Sequence, residues 1–299
     1  MPIEVTVVTD RNDRALEPLW ASIDTLLRFW DEHYSQTKPH SEVLALNRRS
    51  AAAVAVSVRL GRMIADALAY GDSTAGGFDP TILPVKELWG LGEIDTVHHV
   101  PSAAELAATL RKVGYRNVGI NPGRDTVRFA AIGVTIDAGG FAKGYALIET
   151  GKLLDSLGFH RYLVAAGDLV AKGRRSDGKP WRIGIQHPRA DRLLATVTLD
   201  TGAVFTSGDY ENYWMDGNRR IHHLFNPRTG CSCTGNQSLT IRSDSPLQAK
   251  YLSTGLFCRP ADSILAYVER RGLDCVVVDS AGKIFISHGW KNKVVLAGN

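Results

Sequence analysis

Six short stretches of this chain gather the residue types that work on charged substrates: GGFDPT, DAGGFAKG, AAGD, TSGDY, HHLFNPRTG and LST. The central one lies in Ile136–Ile148, which reads IDAGGFAKGYALI. Asp137 ends a strand, Gly139 and Gly140 make a turn, and Lys143 stands near the start of a helix that runs to about Leu157. Backbone N–H groups at a helix start favour anions, and glycines let a ligand approach the backbone. The pattern therefore reads as a phosphate cradle or as a plain capping turn. It is neither the Walker sequence nor a dinucleotide fingerprint. His223, next to a Pro-Arg-Thr-Gly turn, is the candidate base, and Ser253 and Thr254 offer hydroxyls to a metal or a phosphate. Asp168, after Gly167, serves either a turn or a ligand. Loops of this kind, separated by ordinary helices and strands, point to one shared site.

The elements that must position these loops are read from periodicity. Pro2–Thr9 alternates as a strand, and Asp13 to about Tyr34 places Leu16, Leu19, Trp20, Ile23, Leu26, Leu27 and Trp30 at helical spacing. Ser41 is an N-cap for a short helix to Asn47, and Val56–Thr74 forms the next helix. The following TAGGFDPTILPVKELWGLGE, with Pro80 and Pro84, is expected to be a long ordered loop. Pro101–Val113 reads as a helix, and Val118–Ile120, Thr126–Phe129 and Val134–Ile136 as short strands. Tyr162–Ala166, Trp181–Gln186, Ala195–Leu199, Ala203–Ser207 and Ser238–Ile241 are further strands. Leu247–Cys258 and Asp262–Gly272 are helices, and a hairpin of Asp274–Asp279 with Lys283–Ser287 closes the chain. Strands and helices intermix without βαβ alternation. The fold class is therefore α+β, with residues 1–299 as a single unit.

Composition narrows the partners. Of 299 residues, 44% are hydrophobic and 22% charged, and 35 basic against 31 acidic residues give +4. That charge is too mild and too dispersed for a nucleic-acid partner but does not oppose an anionic small ligand. No stretch reaches the roughly 18 apolar residues of a membrane span. The N-terminal MPIEVTVVTD reads as a strand, not a leader, so a cytoplasmic protein is expected, or a periplasmic one whose leader has been removed. Cys231 and Cys233 form a C-x-C pair, the wrong spacing for a zinc or redox motif; Cys258 and Cys275 sit in apolar runs as small buried hydrophobes.

Taken together, the stretches resemble the FAD:protein FMN transferase family, known as ApbE. GFDPTILPVKELWG (Gly77–Gly90) is similar to the family's FDPTxxPLxxLWG loop, and DAGGFAKGYA (Asp137–Ala146) to its DxGGxAKGYA. Ala166-Gly167-Asp168 stands for a GGD turn and Thr206–Tyr213 for TSGDYExY. His223–Gly230 stands for HxxDPxTG, and Ala249–Thr254 partly for ADALST. The motifs keep the family order over nearly the whole chain. The resemblance implies a compact, T-fold-related α+β architecture with mixed or antiparallel sheets packed against helices. It also implies an enzyme that binds FAD with Mg²⁺ on the pyrophosphate and transfers FMN to a Ser or Thr hydroxyl of a target flavoprotein, releasing AMP. Carried over by position, Gly77, Phe78, Asp79, Asp137 and Lys143 contact FAD, Leu224 touches it through its backbone, and His223 is the base. Gly140, Ser253 and Thr254 border the metal.

The chain also departs from that pattern. Lys250 stands where the family has an acidic magnesium ligand, and an ammonium cannot coordinate Mg²⁺. Lys250 then either takes the place of the ion on the pyrophosphate or marks an FAD-binding paralogue with weakened transfer, or it points to solvent; hydrolysis of FAD to FMN and AMP is a further alternative. Asn226 replaces an Asp, and Thr37 stands near the family's flavin-stacking Tyr, a role open also to His33 or Tyr34. The family's early Met-Gly-Thr segment has no counterpart in the N-terminal stretch.

Overall fold

The structure, a computed structural model, describes residues 3–10, 13–49, 52–92 and 97–298. Strand β1 (Glu4–Val7) leads into the long helix α1 (Asp13–Tyr34). Its Leu16, Leu19, Ile23 and Trp30 are all buried, as their spacing requires. Helix α2 (Glu42–Asn47) is capped by Ser41, whose Oγ accepts the Leu44 N–H at 3.0 Å. Then come β2 (Ala53–Ala55), α3 (Val58–Ser73), α4 (Leu83–Leu88), α5 (Ala103–Leu110), β3 (Val118–Ile120) and β4 (Thr126–Phe129). Helix α6 (Ala142–Ser156) precedes β5 (Tyr162–Ala166), β6 (Asp168–Lys172), β7 (Trp181–Gln186), β8 (Leu193–Leu199) and β9 (Gly202–Gly208). The hairpin β10 (Tyr213–Asp216) and β11 (Arg219–His222) is followed by β12 (Asn236–Ser243), α7 (Pro246–Gly255) and α8 (Ala261–Glu269). Last come β13 (Asp274–Asp279), β14 (Ile284–Ile286) and β15 (Val294–Leu296).

The architecture is α+β. A seven-stranded sheet runs β1-β5-β6-β9-β12-β13-β14, and every pairing in it is antiparallel. Side chains alternate across it. Val170, Ala203, Phe205, Cys275 and Val277 point to one face, where they pack on α1, α6, α7 and α8 through Leu19, Leu154, Leu252 and Ile264. Leu169, Ala171, Val204, Val276 and Val278 point to the other, onto Trp181, Ile183 and Val197 of the small sheet β15-β8-β7. With both faces covered, the central strands β9 and β12 are buried at nearly every position, polar residues included. A second core joins Trp30, α2, α3 and the β2-β4-β3 sheet to Phe141, Tyr145 and Tyr251.

Three sequence expectations change. The stretch around Pro84 is not loop throughout, because α4 lies within it; proline is well tolerated in a first helical turn, and Pro84 occupies that place. Val134–Ile136 is not a strand. Its backbone groups are met by side chains instead: Asn47 exchanges two bonds with Ile136 at 2.7 and 2.9 Å, and Arg49 donates to the Val134 carbonyl at 2.7 Å. The hairpin β13–β14 does not end the fold, since β15 returns to pair with β8. Of the expected Pro2–Thr9 strand, Pro2 lies outside the described residues.

Candidate active site

The motif loops meet where α4, α6 and α7 face the turn after β5 and the loop after β11. They enclose a cavity of about 340 Å³ whose wall includes Gly77, Phe78, Asp79, Asp137, Gly140, Lys143, His223, Leu224, Lys250 and Thr254. That volume suits part of a nucleotide-sized ligand. Ser253 stands just behind the wall: Ser207 Oγ lies 3.3 Å from both the Ser253 and Thr254 hydroxyl oxygens, and Ser253 Oγ donates to the Lys250 carbonyl at 3.0 Å.

Close backbone approach holds the Phe78 loop on α7. A Cβ on Gly77 would sit 2.1 Å from the Gly255 carbonyl oxygen, and a Cβ on Gly255 would meet Phe78 at 2.9 Å, so both positions demand glycine. Tyr251 fills the joint, stacked on Tyr70 and edge-on to Phe78. Asp79 braces the loop from inside. One carboxylate oxygen accepts the Thr81 N–H at 2.8 Å and its hydroxyl at 2.5 Å; the other accepts the Tyr115 N–H at 2.9 Å. Burial raises its pKa against those bonds. Asp79 therefore shapes the wall rather than reaching for a ligand. The base loop is tied back in turn: Trp89 Nε1 donates to the Gly230 carbonyl at 2.7 Å, and Arg228 to the Ala75 carbonyl at 2.9 Å.

Charge gathers on one wall. Lys86 of α4 bonds to Asp137 at 3.0 Å, with side chains 12% and 5% exposed. Lys143 of α6 meets Asp168 at 3.2 Å, while the other Asp168 oxygen accepts the Thr206 N–H at 2.9 Å. Lys250 of α7 forms no ion pair among the described residues, and its pKa is lowered by burial first and by Lys143 and Lys86, against Asp168 and Asp137. Those mutual effects place all five groups within electrostatic reach of one another. Asp137 Oδ1 is buried without a hydrogen-bond partner, an acceptor open to a ligand donor.

His223 sits opposite in chemical character. Its Nδ1 is 3.2 Å from the Asn212 carbonyl, which can only accept, so Nδ1 carries the proton and Nε2 keeps a free lone pair. Burial pushes its pKa down to about 3, assisted by Lys86, leaving the imidazole neutral. The neighbouring His222 is structural: Nε2 donates to the Cys233 carbonyl at 2.7 Å, and Nδ1 accepts the Leu224 N–H at 3.3 Å.

The donor set does not suit Mg²⁺. A small hard cation prefers carboxylate and phosphate oxygens in an octahedron. Here Ser207, Ser253 and Thr254 offer neutral hydroxyls, Asp137 and Asp168 each have one oxygen bonded to a lysine, Asp79 is held by Thr81 and the Tyr115 N–H, and Lys250 brings a positive charge. Among the described residues, no group of three or more His, Cys, Asp or Glu side chains is placed to hold a metal.

Several site features escape a reading of motifs. Lys86 was hidden in a stretch read as loop; the available signal was one cation seven residues after Asp79 in apolar surroundings. Cys258 is not a lone buried thiol: it is bonded to Cys233, with Cα atoms 5.0 Å apart, and both cysteines line the cavity. Cys275 is buried and free as expected, and Cys231 is exposed. Asn226 lies outside the main cavity wall, where its Oδ1 accepts the Arg228 N–H at 3.0 Å. Tyr34 borders a second recess that shares Gly139, Lys143 and Ala166 with the main cavity; Thr37 and His33 line neither. No helix among the described residues is long and apolar enough to cross a membrane.

A profile of the ApbE family matches residues 1–277. The FAD:protein FMN transferase of Salmonella typhimurium is 30% identical over 288 residues, covering 94% of this chain and 82% of its own. That of Haemophilus influenzae is 27% identical over 274 residues, covering 89% and 79%. Among solved structures, an ApbE protein from Thermotoga maritima has a TM-score of 0.89 at 30% identity, covering 97% of this chain and 95% of its own. The flavinyl transferase ApbE of Pseudomonas stutzeri gives 0.87 at 29%, covering 99% and 94%.

Proposed function

The chain belongs to the ApbE family, and from that premise we propose that it is an FAD:protein FMN transferase. It acts as one unit, since its site residues run from Gly77 to Thr254. FAD is the donor and a flavoprotein carrying a target Ser or Thr is the acceptor. The observation that carries the reading is the pairing of a cationic wall with a neutral histidine across one cavity.

The acceptor hydroxyl oxygen attacks the phosphorus on the riboflavin side of the pyrophosphate. A new P–O bond forms, the bond to the bridging oxygen breaks, and AMP leaves with that electron pair. The hydroxyl proton passes to Nε2 of His223. A base held near pKa 3 by burial is weak; an anionic substrate offsets the smaller, lysine part of that depression and so raises its basicity. Lys143 and Lys250 face the phosphates, and Asp137 Oδ1 accepts from a hydroxyl or ring N–H of FAD. Thr254 and Gly140 complete the polar floor, with Ser253 behind them. Mg²⁺ has no part in this reaction, because the donor set does not suit it.

Incubation with FAD and a candidate acceptor flavoprotein tests this, following AMP release and protein-bound flavin fluorescence together. Both are expected in equal amounts. AMP without bound flavin identifies a hydrolase, and bound FAD with neither product identifies a binder; either overturns transfer.

A further inference from the structure

We propose that this site meets the pyrophosphate charge with three lysine ammonium groups, Lys86, Lys143 and Lys250, and needs no divalent cation. The inference rests on the FAD reading above and deepens it.

The lysines come from three separate helices and line one cavity. Asp137 and Asp168, whose side chains are both nearly buried, hold the first two through one contact each, at 3.0 and 3.2 Å. An ammonium has three donors, so either lysine can keep its carboxylate and still donate to a phosphate oxygen. Lys250 is the uncommitted one: its Nζ makes no hydrogen bond or ion pair among the described residues. Its stem is fixed nonetheless. A Cβ at Gly144 would lie 3.0 Å from Lys250 Cγ and 3.3 Å from Cδ, so the glycine beside Lys143 leaves the groove in which Lys250 lies. The result is a positioned point charge on the cavity wall to which Ser207 and Thr254 also contribute.

The placement of the charges favours lysine over metal. Lys86 and Lys143 are matched by Asp137 and Asp168, which leaves Lys250 as the ammonium with no carboxylate bonded to it among the described residues; of the other acids on the cavity wall, Asp79 is turned to Thr81 and the Tyr115 N–H. A divalent ion added there would be repelled by Lys250, whereas a diphosphate ester would be attracted by it. As the P–O bond to the bridging oxygen breaks, charge grows on the AMP phosphate, and lysine N–H donors can follow it without a change of ligands.

The test is FAD binding to the unmodified protein by calorimetry, in EDTA and then with added Mg²⁺, alongside FMN transfer under both conditions. Binding and transfer are expected in EDTA, with Mg²⁺ giving no gain. Lys250→Met and Lys86→Met should each weaken FAD binding about tenfold or more in EDTA, with thermal melts confirming folded variants. Binding in EDTA that is unaltered by both substitutions overturns the proposal. FAD binding that appears only with Mg²⁺ overturns it too but leaves transferase activity standing. A protein that binds FAD under neither condition overturns the functional reading itself.

Discussion

The wall built by α4, α6 and α7 and the wall built by the loop after β11 face the same cavity, yet they carry charge in opposite ways. Burial disfavours an ionised group on either side. On the first wall, Lys86 and Lys143 each meet a carboxylate that compensates for lost water. On the second, His223 meets only the neutral Asn212 carbonyl, and burial with the nearby Lys86 leaves it uncharged. One wall is therefore suited to an anion and the other to taking a proton. The contrast is set by the partners and not by depth, since Asp137 and Asp168 are themselves buried, each only 4% exposed.

The sharpest way to break the comparison is to remove the proton acceptor. His223→Ala should lower FMN attachment by about 10²–10⁴-fold, while FAD affinity stays close to that of the unmodified protein. Attachment at an ordinary rate in this variant would remove His223 as base, and equal loss of binding would place it on the anion-holding side instead.

A second test reads the neutral state directly. Folded His223 titrates at about 3 and an unfolded histidine near 6.5, so between those values the unfolded chain binds a proton that the folded chain does not. Stability should be full above about pH 6.5 and fall as pH drops toward 3, by on the order of a few kcal/mol from this group. Urea melts of the unmodified protein and His223→Ala should diverge over that window, with the variant flatter. Parallel profiles would mean that the imidazole is not held neutral.

The smallest effect belongs to Asn226. Its side chain caps a turn by accepting from Arg228, a bond that Asp makes equally well, and it lies off the cavity wall. Asn226→Asp should change the transfer rate by less than about threefold. A larger change would show that the cation wall senses charge from the base loop.

What could be read in the sequence depended on how local its cause was. The Asp137–Lys143 cradle and His223 are contiguous strings whose spacing carries their chemistry, and they do meet in one cavity. The Ser41 cap and the helical stripe of α1 are equally local. The Lys86–Asp137 bond spans 51 positions, and Lys86 lies in a helix that the nearby prolines disguised as loop. Val134–Ile136 has the residues of a strand, but an Asn and an Arg satisfy its backbone where a neighbouring strand would. Sequence separation also hid the link between Cys233 and Cys258, since cysteine positions do not specify their pairing.

That link changes the connectivity of the molecule. Cys233 and Cys258, 25 residues apart, close a covalent ring that contains β12 and the whole of α7. A backbone cut anywhere inside the ring would leave one molecule and not two. The fragment ending in the base loop would remain attached, through sulfur, to the segment that follows the lysine helix.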